Sequence, residues 1–327
     1  MIQEIRIKNY LSFRDEVVLS FEATKDTTFE ECQVVNVTPK VRLLRFALIY
    51  GANASGKSNL LNAMDFLCGF WFDKKSDIDE ETGVLPFLLD TETPNEPSEF
   101  NIKFFVDDKR YWYTLVLNDK QVIKENLYVY NSVQPSLVFS RELDGTASLI
   151  KLNASLVKAN ATIVEQLNVK CLSNMSFFAA RNQVNCSLAY IDEVRDWMKN
   201  NMMPIIEPGT RMFEYAGKQM EKNAELKAYI LDFVHKADYN ITDVYTEREK
   251  VPIPDFVKTS IMEDKDIPEK TKEKMLADNA LKRLRTDFQH TVKNKRGEEN
   301  YRLPNSLQSE GTKRTFGIEA AIYEAIK

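Results

Sequence analysis

The eight residues Gly51-Ala52-Asn53-Ala54-Ser55-Gly56-Lys57-Ser58 restrict what this chain can fold into more than any other stretch. They fit the pattern G-x-x-x-x-G-K-[ST], in which glycines let the backbone wrap a phosphate with its amides turned inward. The pattern asks for a buried strand before it and a helix after it. Leu43 to Tyr50 is a nearly continuous apolar run, as expected of a central strand buried on both faces. Leu60, Leu61, Met64, Leu67 and Cys68 recur at three- and four-residue spacing, which predicts an amphipathic helix ending near Gly69. In that setting the helix start offers N–H groups and a partial positive charge to an anion. Lys57 would reach the β- and γ-phosphates, and the Ser58 hydroxyl would be a ligand of Mg²⁺. ATP and Mg²⁺ are therefore the expected cofactors. The candidate binding residues are Gly51, Asn53, Ala54, Ser55, Gly56, Lys57, Ser58 and Asn59. The loop reads phosphates and does not itself separate adenine from guanine. The base-reading N/T-K-x-D motif of small GTPases does not occur.

Composition sets outer limits. A chain of 327 residues, 43% hydrophobic and 28% charged, is an ordinary globular sequence for one lobed domain or two. A net charge of −5 argues against a surface that is basic all over but leaves room for local patches. Two short basic clusters, Lys282-Arg283-Leu284-Arg285 and Lys293-Asn294-Lys295-Arg296, read either as solvated faces and a hairpin turn or as a contact for nucleic acid or a partner. The four cysteines are scattered and none forms a C-x-x-C pair, so neither a zinc site nor a disulfide framework is expected. No run reaches the roughly 18 apolar residues of a membrane span, and the start shows no signal-peptide pattern. A reducing cytoplasm is the expected location, with no membrane partner.

Along the chain, Ile5 and Ile7 alternate with charges in a first strand, Asn9 to Arg14 bend, and Val17 to Phe21 form a second strand. Residues 22 to 40 read as polar and irregular, and 73 to 97 as loop. From Glu99 to Tyr130 the alternation of Phe100, Ile102, Phe104, Tyr111, Tyr113, Leu115, Val122 and Leu127 predicts an antiparallel meander. Helices are expected at about 187–201 and 222–236, and a strand near Ile241 to Tyr245. A charged surface excursion, partly helical, follows over 246–285. A hairpin should join Phe288–Val292 to Glu299–Leu303 around Arg296-Gly297, and a last helix should begin near Thr312. The expected organisation is a P-loop lobe with the meander over 1–150, a helix-rich insertion over 151–300, and a signature-like loop and helix over 301–327.

Three segments carry a family resemblance. They are Ile5-Arg6-Ile7-Lys8-Asn9-Tyr10-Leu11-Ser12-Phe13, the stretch from Leu48 to Leu61, and Leu307-Gln308-Ser309-Glu310-Gly311-Thr312-Lys313-Arg314. Together they resemble the RecF- and SMC-like ATPases of the AAA/ABC type found in bacterial abortive-infection and related anti-phage systems, relatives of the OLD-family ATPase. The resemblance implies an α/β P-loop NTPase, an ABC/SMC-like ATPase head with an antiparallel β subdomain and a helical insertion. It implies that Ser309, Gly311 and Thr312 stand in a variant of the ABC signature, whose helix start faces the γ-phosphate of ATP on the opposite subunit. ATP would then join two heads in a homodimer, with a nuclease or toxin as possible effector. Plain N-capping chemistry is the alternative reading of Ser-x-Gly. The family also places a glutamine near Mg²⁺ and the attacking water. Gln183 is the candidate, with polarity at a helix start as the alternative. His235 and His290 read as structural. The Walker B strand that ends in Asp-Glu is not found before Lys327; Tyr190-Ile191-Asp192-Glu193 precedes the signature and sits in a helical pattern. The expectation is therefore an N-terminal part of an ATPase that binds nucleotide and hydrolyses it slowly. Two further readings stay open: a RecF-like ATPase of DNA maintenance that binds duplex, and a nucleotide-binding scaffold without hydrolysis.

Overall fold

Charged residues facing water alternate with Ile5 and Ile7 in β1 (Ile2–Lys8), and this alternation sets the architecture of the first half. The computed structural model describes residues 1–203, 205–207, 209–210, 212–237, 240–264, 269–277 and 280–326, leaving out the side chains of 270, 274, 275 and 281–283. The chain divides into two compact units, Met1–Ile205 and Ile206–Lys327.

The first unit continues with β2 (Val17–Ser20), α1 (Glu30–Gln33), β3 (Val34–Thr38), β4 (Val41–Leu44) and α2 (Lys57–Phe70). Then come β5 (Ser98–Val106), β6 (Lys109–Leu117), β7 (Val122–Tyr130), β8 (Ser136–Asp144) and β9 (Ala147–Leu152). It closes with α3 (Ala161–Lys170), α4 (Phe177–Arg181) and α5 (Ile191–Asn201). Seven strands form one sheet in the order β2-β1-β5-β6-β7-β8-β9, every neighbour antiparallel. The meander is thus present and two strands longer than its pattern suggests. One sheet face carries Ile5, Ile7, Phe100, Ile102, Tyr111, Tyr113 and Leu127. It shares a core with Leu60, Ala63 and Leu67 of α2, Phe177 and Phe178 of α4, and Val194 and Met198 of α5. The helices placed by sequence in a region starting at 151 therefore join the core of the first unit.

One expectation is overturned. The apolar run Leu43–Tyr50 does not form a central buried strand. Only Val41–Leu44 is a strand, paired with β3 and bridged through Leu43 to Glu22. Beyond it Phe46, Leu48 and Tyr50 are 64%, 77% and 92% exposed. A strand buried on both faces needs a strand along each edge and helices above and below, and none of the described strands extends its pairing to residues 46–50.

The second unit contains α6 (Phe213–Lys222), α7 (Ala224–Lys236), β10 (Asp243–Pro252), α8 (Asp255–Glu263), α9 (Glu269–Ala277), β11 (Ala280–Asn294), β12 (Gly297–Pro304) and α10 (Glu310–Ile326). β10, β11 and β12 form an antiparallel sheet, with Asn294 opposite Gly297 at the anticipated hairpin. Part of the expected excursion over 246–285 is instead a long paired ribbon, Glu247–Pro252 against Ala280–Arg285. Ala216, Ile230, Val244, Phe288, Phe316 and Ala320 fill the core. α10 approaches the start of α6 so closely that a Cβ at Gly317 would lie 2.7 Å from Met212 Cβ, hence the glycine.

Within this core Glu319 is buried and accepts a hydrogen bond from the Tyr229 hydroxyl at 3.2 Å. Burial pushes its carboxyl above the ordinary carboxylate range, opposed by the Tyr229 bond. A folded state that holds this proton more tightly than the unfolded chain loses stability as pH rises from about 4.3 through the raised value. Melting of the second unit should therefore fall over that interval. Glu319→Gln should flatten this part of the profile, and an unaltered slope in the variant would refute the assignment.

Candidate functional site

The segment 51–58 leaves the exposed run and turns sharply into α2. Two residues hold left-handed backbone, Ala54 at φ 64° and Gly56 at φ 88°. At Gly56 this conformation coincides with a close wall: a Cβ there would sit 2.8 Å from Ser12 Oγ and 3.0 Å from the Phe13 ring. Only glycine fits both demands. Gly56 is also the N-cap of α2 and offers no side chain to satisfy the first-turn N–H groups. The first turn contains no acidic residue to neutralise the helix dipole. Gly51 to Ser55 are exposed, and Ser58 is exposed at the second helical position. Lys57 Nζ folds back over the loop and donates to Gly51 O at 3.0 Å and Ala52 O at 2.7 Å. An ammonium held by two neutral carbonyls at the rim of a turn is placed to exchange them for a charged oxygen, a stronger acceptor.

This donor set fits a polyphosphate: uncapped helix amides, an ammonium over the loop and a glycine turn open to solvent. Ser58 supplies a hydroxyl that could join phosphate oxygens around a magnesium ion. Among the described residues, no cluster of three or more His, Cys, Asp or Glu could hold a metal by itself.

Residues 46–151, which span the loop, α2 and the strands up to β9, match the family model described as "AAA domain, putative AbiEii toxin, Type IV TA system". That match supports an AAA-type P-loop ATPase. Such domains bind nucleotide, typically with Mg²⁺, and the geometry of Gly51–Ser58 accords with it. No curated protein matches the chain. No helix of the described residues is long and apolar enough to cross a membrane.

The turn after β1 is a part of the site whose role sequence patterns leave unassigned. Asn9 is buried and donates to Thr93 O at 2.7 Å and Glu96 O at 2.9 Å. Its Oδ1 accepts from Phe87 N at 3.0 Å. Tyr10 packs between Phe66 and Phe100, and its hydroxyl donates to Asn62 O in α2 at 3.2 Å. Asn59 Nδ2 donates to Ser12 Oγ at 2.9 Å. The sequence marked this stretch as a bend and as one of the three segments of resemblance, without a role for its side chains; Asn9 takes φ 51°.

Gln183 lies just past α4, where its amide donates to Ala179 O at 3.4 Å. It lines a groove of about 460 Å³ with Thr162, Gln166 and Val169 of α3. None of its hydrogen bonds reaches the 51–58 loop. The Asp192-Glu193 pair sits in α5 and is committed elsewhere. Asp192 holds Arg181 at 2.8 Å and caps Leu188 N at 2.8 Å, while Glu193 takes Lys109 at 2.9 Å.

In the second unit Ser309 precedes α10. Its Oγ accepts from Thr312 N at 3.1 Å and lies 2.8 Å from Thr312 Oγ1. Ser309 and Thr312 thus form a helix cap, and a Cβ at Gly311 between them would meet Ser309 Oγ only at an ordinary 3.7 Å. Ser309→Ala should lower the stability of the second unit by about 1 kcal/mol in denaturant titration. A loss below a few tenths would show that the hydroxyl does not cap. His290 Nε2 lies 3.0 Å from Gln308 Nε2, and His235 is exposed in the last turn of α7. Of the basic clusters, Arg285 pairs with Asp287 at 2.9 Å and Lys293 with Glu298 at 3.2 Å. The side chains of Lys282 and Arg283 lie outside the described residues.

Proposed function

We propose that this chain is an ATP-binding head and that it acts as the regulator or sensor of a bacterial abortive-infection system. The observation that carries the nucleotide part is the uncapped start of α2 behind Gly56, with Lys57 folded over the loop. The matching family, described by a putative AbiEii toxin and a type IV toxin–antitoxin system, supports the biological part. In this reading the amides of Gly51–Ser58 hold the phosphates, Ser58 binds Mg²⁺ and Asn59 braces the first helical turn. Bound nucleotide supplies the negative charge that these groups are arranged to meet. Two heads pair around ATP, with the Ser309–Thr312 helix start of one set against the nucleotide of the other. A nuclease or toxin is the effector.

Calorimetric titration with ATP and Mg²⁺, paired with light scattering, tests this. Binding with formation of a dimer is the expected result. Absence of heat and of any melting shift would overturn the nucleotide reading, and binding without a change in mass would overturn the pairing. Fluorescence anisotropy with duplex DNA at several salt concentrations separates the regulator from a DNA-maintenance ATPase, which would bind with a steep salt slope.

A further inference from the structure

The turn between β1 and β2 touches the phosphate loop at a single polar atom, Ser12 Oγ. That atom accepts from Asn59 Nδ2 at 2.9 Å and stands 2.8 Å from where a Cβ of Gly56 would be. Asn59 in turn accepts from Asn62 Nδ2 at 3.3 Å, one turn further along α2. The turn itself is fixed from behind. Tyr10 and Phe13 exchange backbone bonds of 2.9 and 2.8 Å, Leu11 N donates to Leu85 O at 2.9 Å, and Ser98 Oγ donates to Asn9 O. A rigid turn therefore carries an exposed hydroxyl to the one place where the loop becomes helix.

From this arrangement we infer that Ser12 is a positioning residue for the phosphate loop. It stands where a side chain at Gly56 would lie, so the loop must use glycine there, and through Asn59 it fixes the first turn of α2. The amides following Gly56 then face outward as a preformed anion cradle. Preorganisation of this kind raises affinity by sparing the loop an ordering step when the ligand arrives. The inference rests on reading 51–58 as the phosphate site, and it adds the device that keeps that site in shape.

Ser12 is exposed, so removing its hydroxyl leaves the core intact. In the full 327-residue chain, Ser12→Ala should leave the ligand-free melting temperature unchanged. It should weaken both ATP and inorganic tripolyphosphate, each with Mg²⁺, by about fivefold, the worth of one hydrogen bond. Asn59→Ala should cost about the same, and the double variant little more than either single change, because both act through one contact. Full additivity, unchanged affinities, or a loss with ATP but not with tripolyphosphate would each overturn the positioning role; the last would assign Ser12 to the nucleoside. If the unaltered chain bound neither ligand, the reading of the loop itself would fail. If it bound both and Ser12→Ala bound them equally well, only this inference would fall.

Discussion

Arg141→Met should destabilise the first unit by about 3–5 kcal/mol, the usual cost of breaking a buried ion pair from one side. Arg141 and Glu125 are both fully buried, 3.2 Å apart. The guanidinium also donates to Ser148 Oγ at 3.1 Å and to the carbonyls of Met175, Leu172 and Ser173 at 2.5, 2.8 and 3.1 Å. Glu125 accepts from Tyr113 OH at 2.9 Å, Ser176 Oγ at 2.8 Å and Phe177 N at 2.8 Å. Burial, reinforced by the Glu125 charge, holds the Tyr113 phenol well above its usual pKa, so it stays a donor. The pair thus ties β6, β7, β8 and β9 to the turn that starts α4. Removing Arg141 leaves a buried carboxylate without its counter-charge and takes a donor from three carbonyls, of which Ser173 O keeps Val122 N at 2.7 Å and Leu172 O keeps Met175 N at 3.4 Å. Exposed pairs such as Lys8–Glu99 or Lys124–Glu142, at 3.1 and 3.4 Å, should cost well under about 1 kcal/mol when broken.

Trp71, Trp112 and Trp197 are the chain's three tryptophans and all lie in the first unit, so their fluorescence isolates its unfolding. In a unit of this size the loss corresponds to a melting temperature lower by about 10 °C. Replacing both partners, Arg141→Met with Glu125→Leu, should cost far less than the sum of the two single changes, since no charge is left unpaired. A single change below about 1 kcal/mol, or strict additivity, would show that the pair is not an anchor.

What the sequence revealed and concealed follows from the range of the forces involved. Periodicity is local. The stripe Leu60, Met64, Leu67 and Cys68 of α2 (its fifth expected member, Leu61, is exposed), the alternation Phe100-Ile102-Phe104 of β5 and the Asn294–Gly297 hairpin were legible because each pattern is set by neighbours in sequence. The glycine loop was legible because its chemistry tolerates few residue types. Other features depend on distant partners. An apolar run such as Phe46–Tyr50 reports a demand for neighbours and cannot say whether the chain supplies them. Glu125 sits in an alternating strand and looks like a surface charge until Arg141, sixteen residues on, is brought beside it. The ribbon Glu247–Pro252 has largely solvated faces, so its hydrophobic alternation is weak and its pairing with Ala280–Arg285 leaves little trace. Ser12 and Asn59 are 47 residues apart and meet only because Tyr10 is packed against α2.

Lys57→Ala should weaken nucleotide binding severely while leaving the ligand-free protein as stable as before. Among the described residues Nζ bonds Gly51 O and Ala52 O, both on exposed residues, so water can replace it at little cost. With a polyphosphate present, the same ammonium answers charged oxygens beside an uncapped helix start. Losing a charge-assisted contact of that kind typically costs about 2–4 kcal/mol, or roughly 30- to 1,000-fold in affinity. Lys57→Arg should rescue poorly, because a planar fork cannot replace a compact ammonium within so tight a turn. The clearest readout is linkage. At an ATP concentration 100 times its dissociation constant, the unaltered chain gains about 2.7 kcal/mol of stability, which appears as a melting shift. At the same concentration Lys57→Ala should keep at most about 0.9 kcal/mol of that gain, and less than about 0.1 kcal/mol at the upper end of the range. Because the two proteins should melt together without ligand, any difference that appears only with ATP and Mg²⁺ belongs to the loop. An equal shift in both would mean that the nucleotide is held somewhere other than Gly51–Ser58.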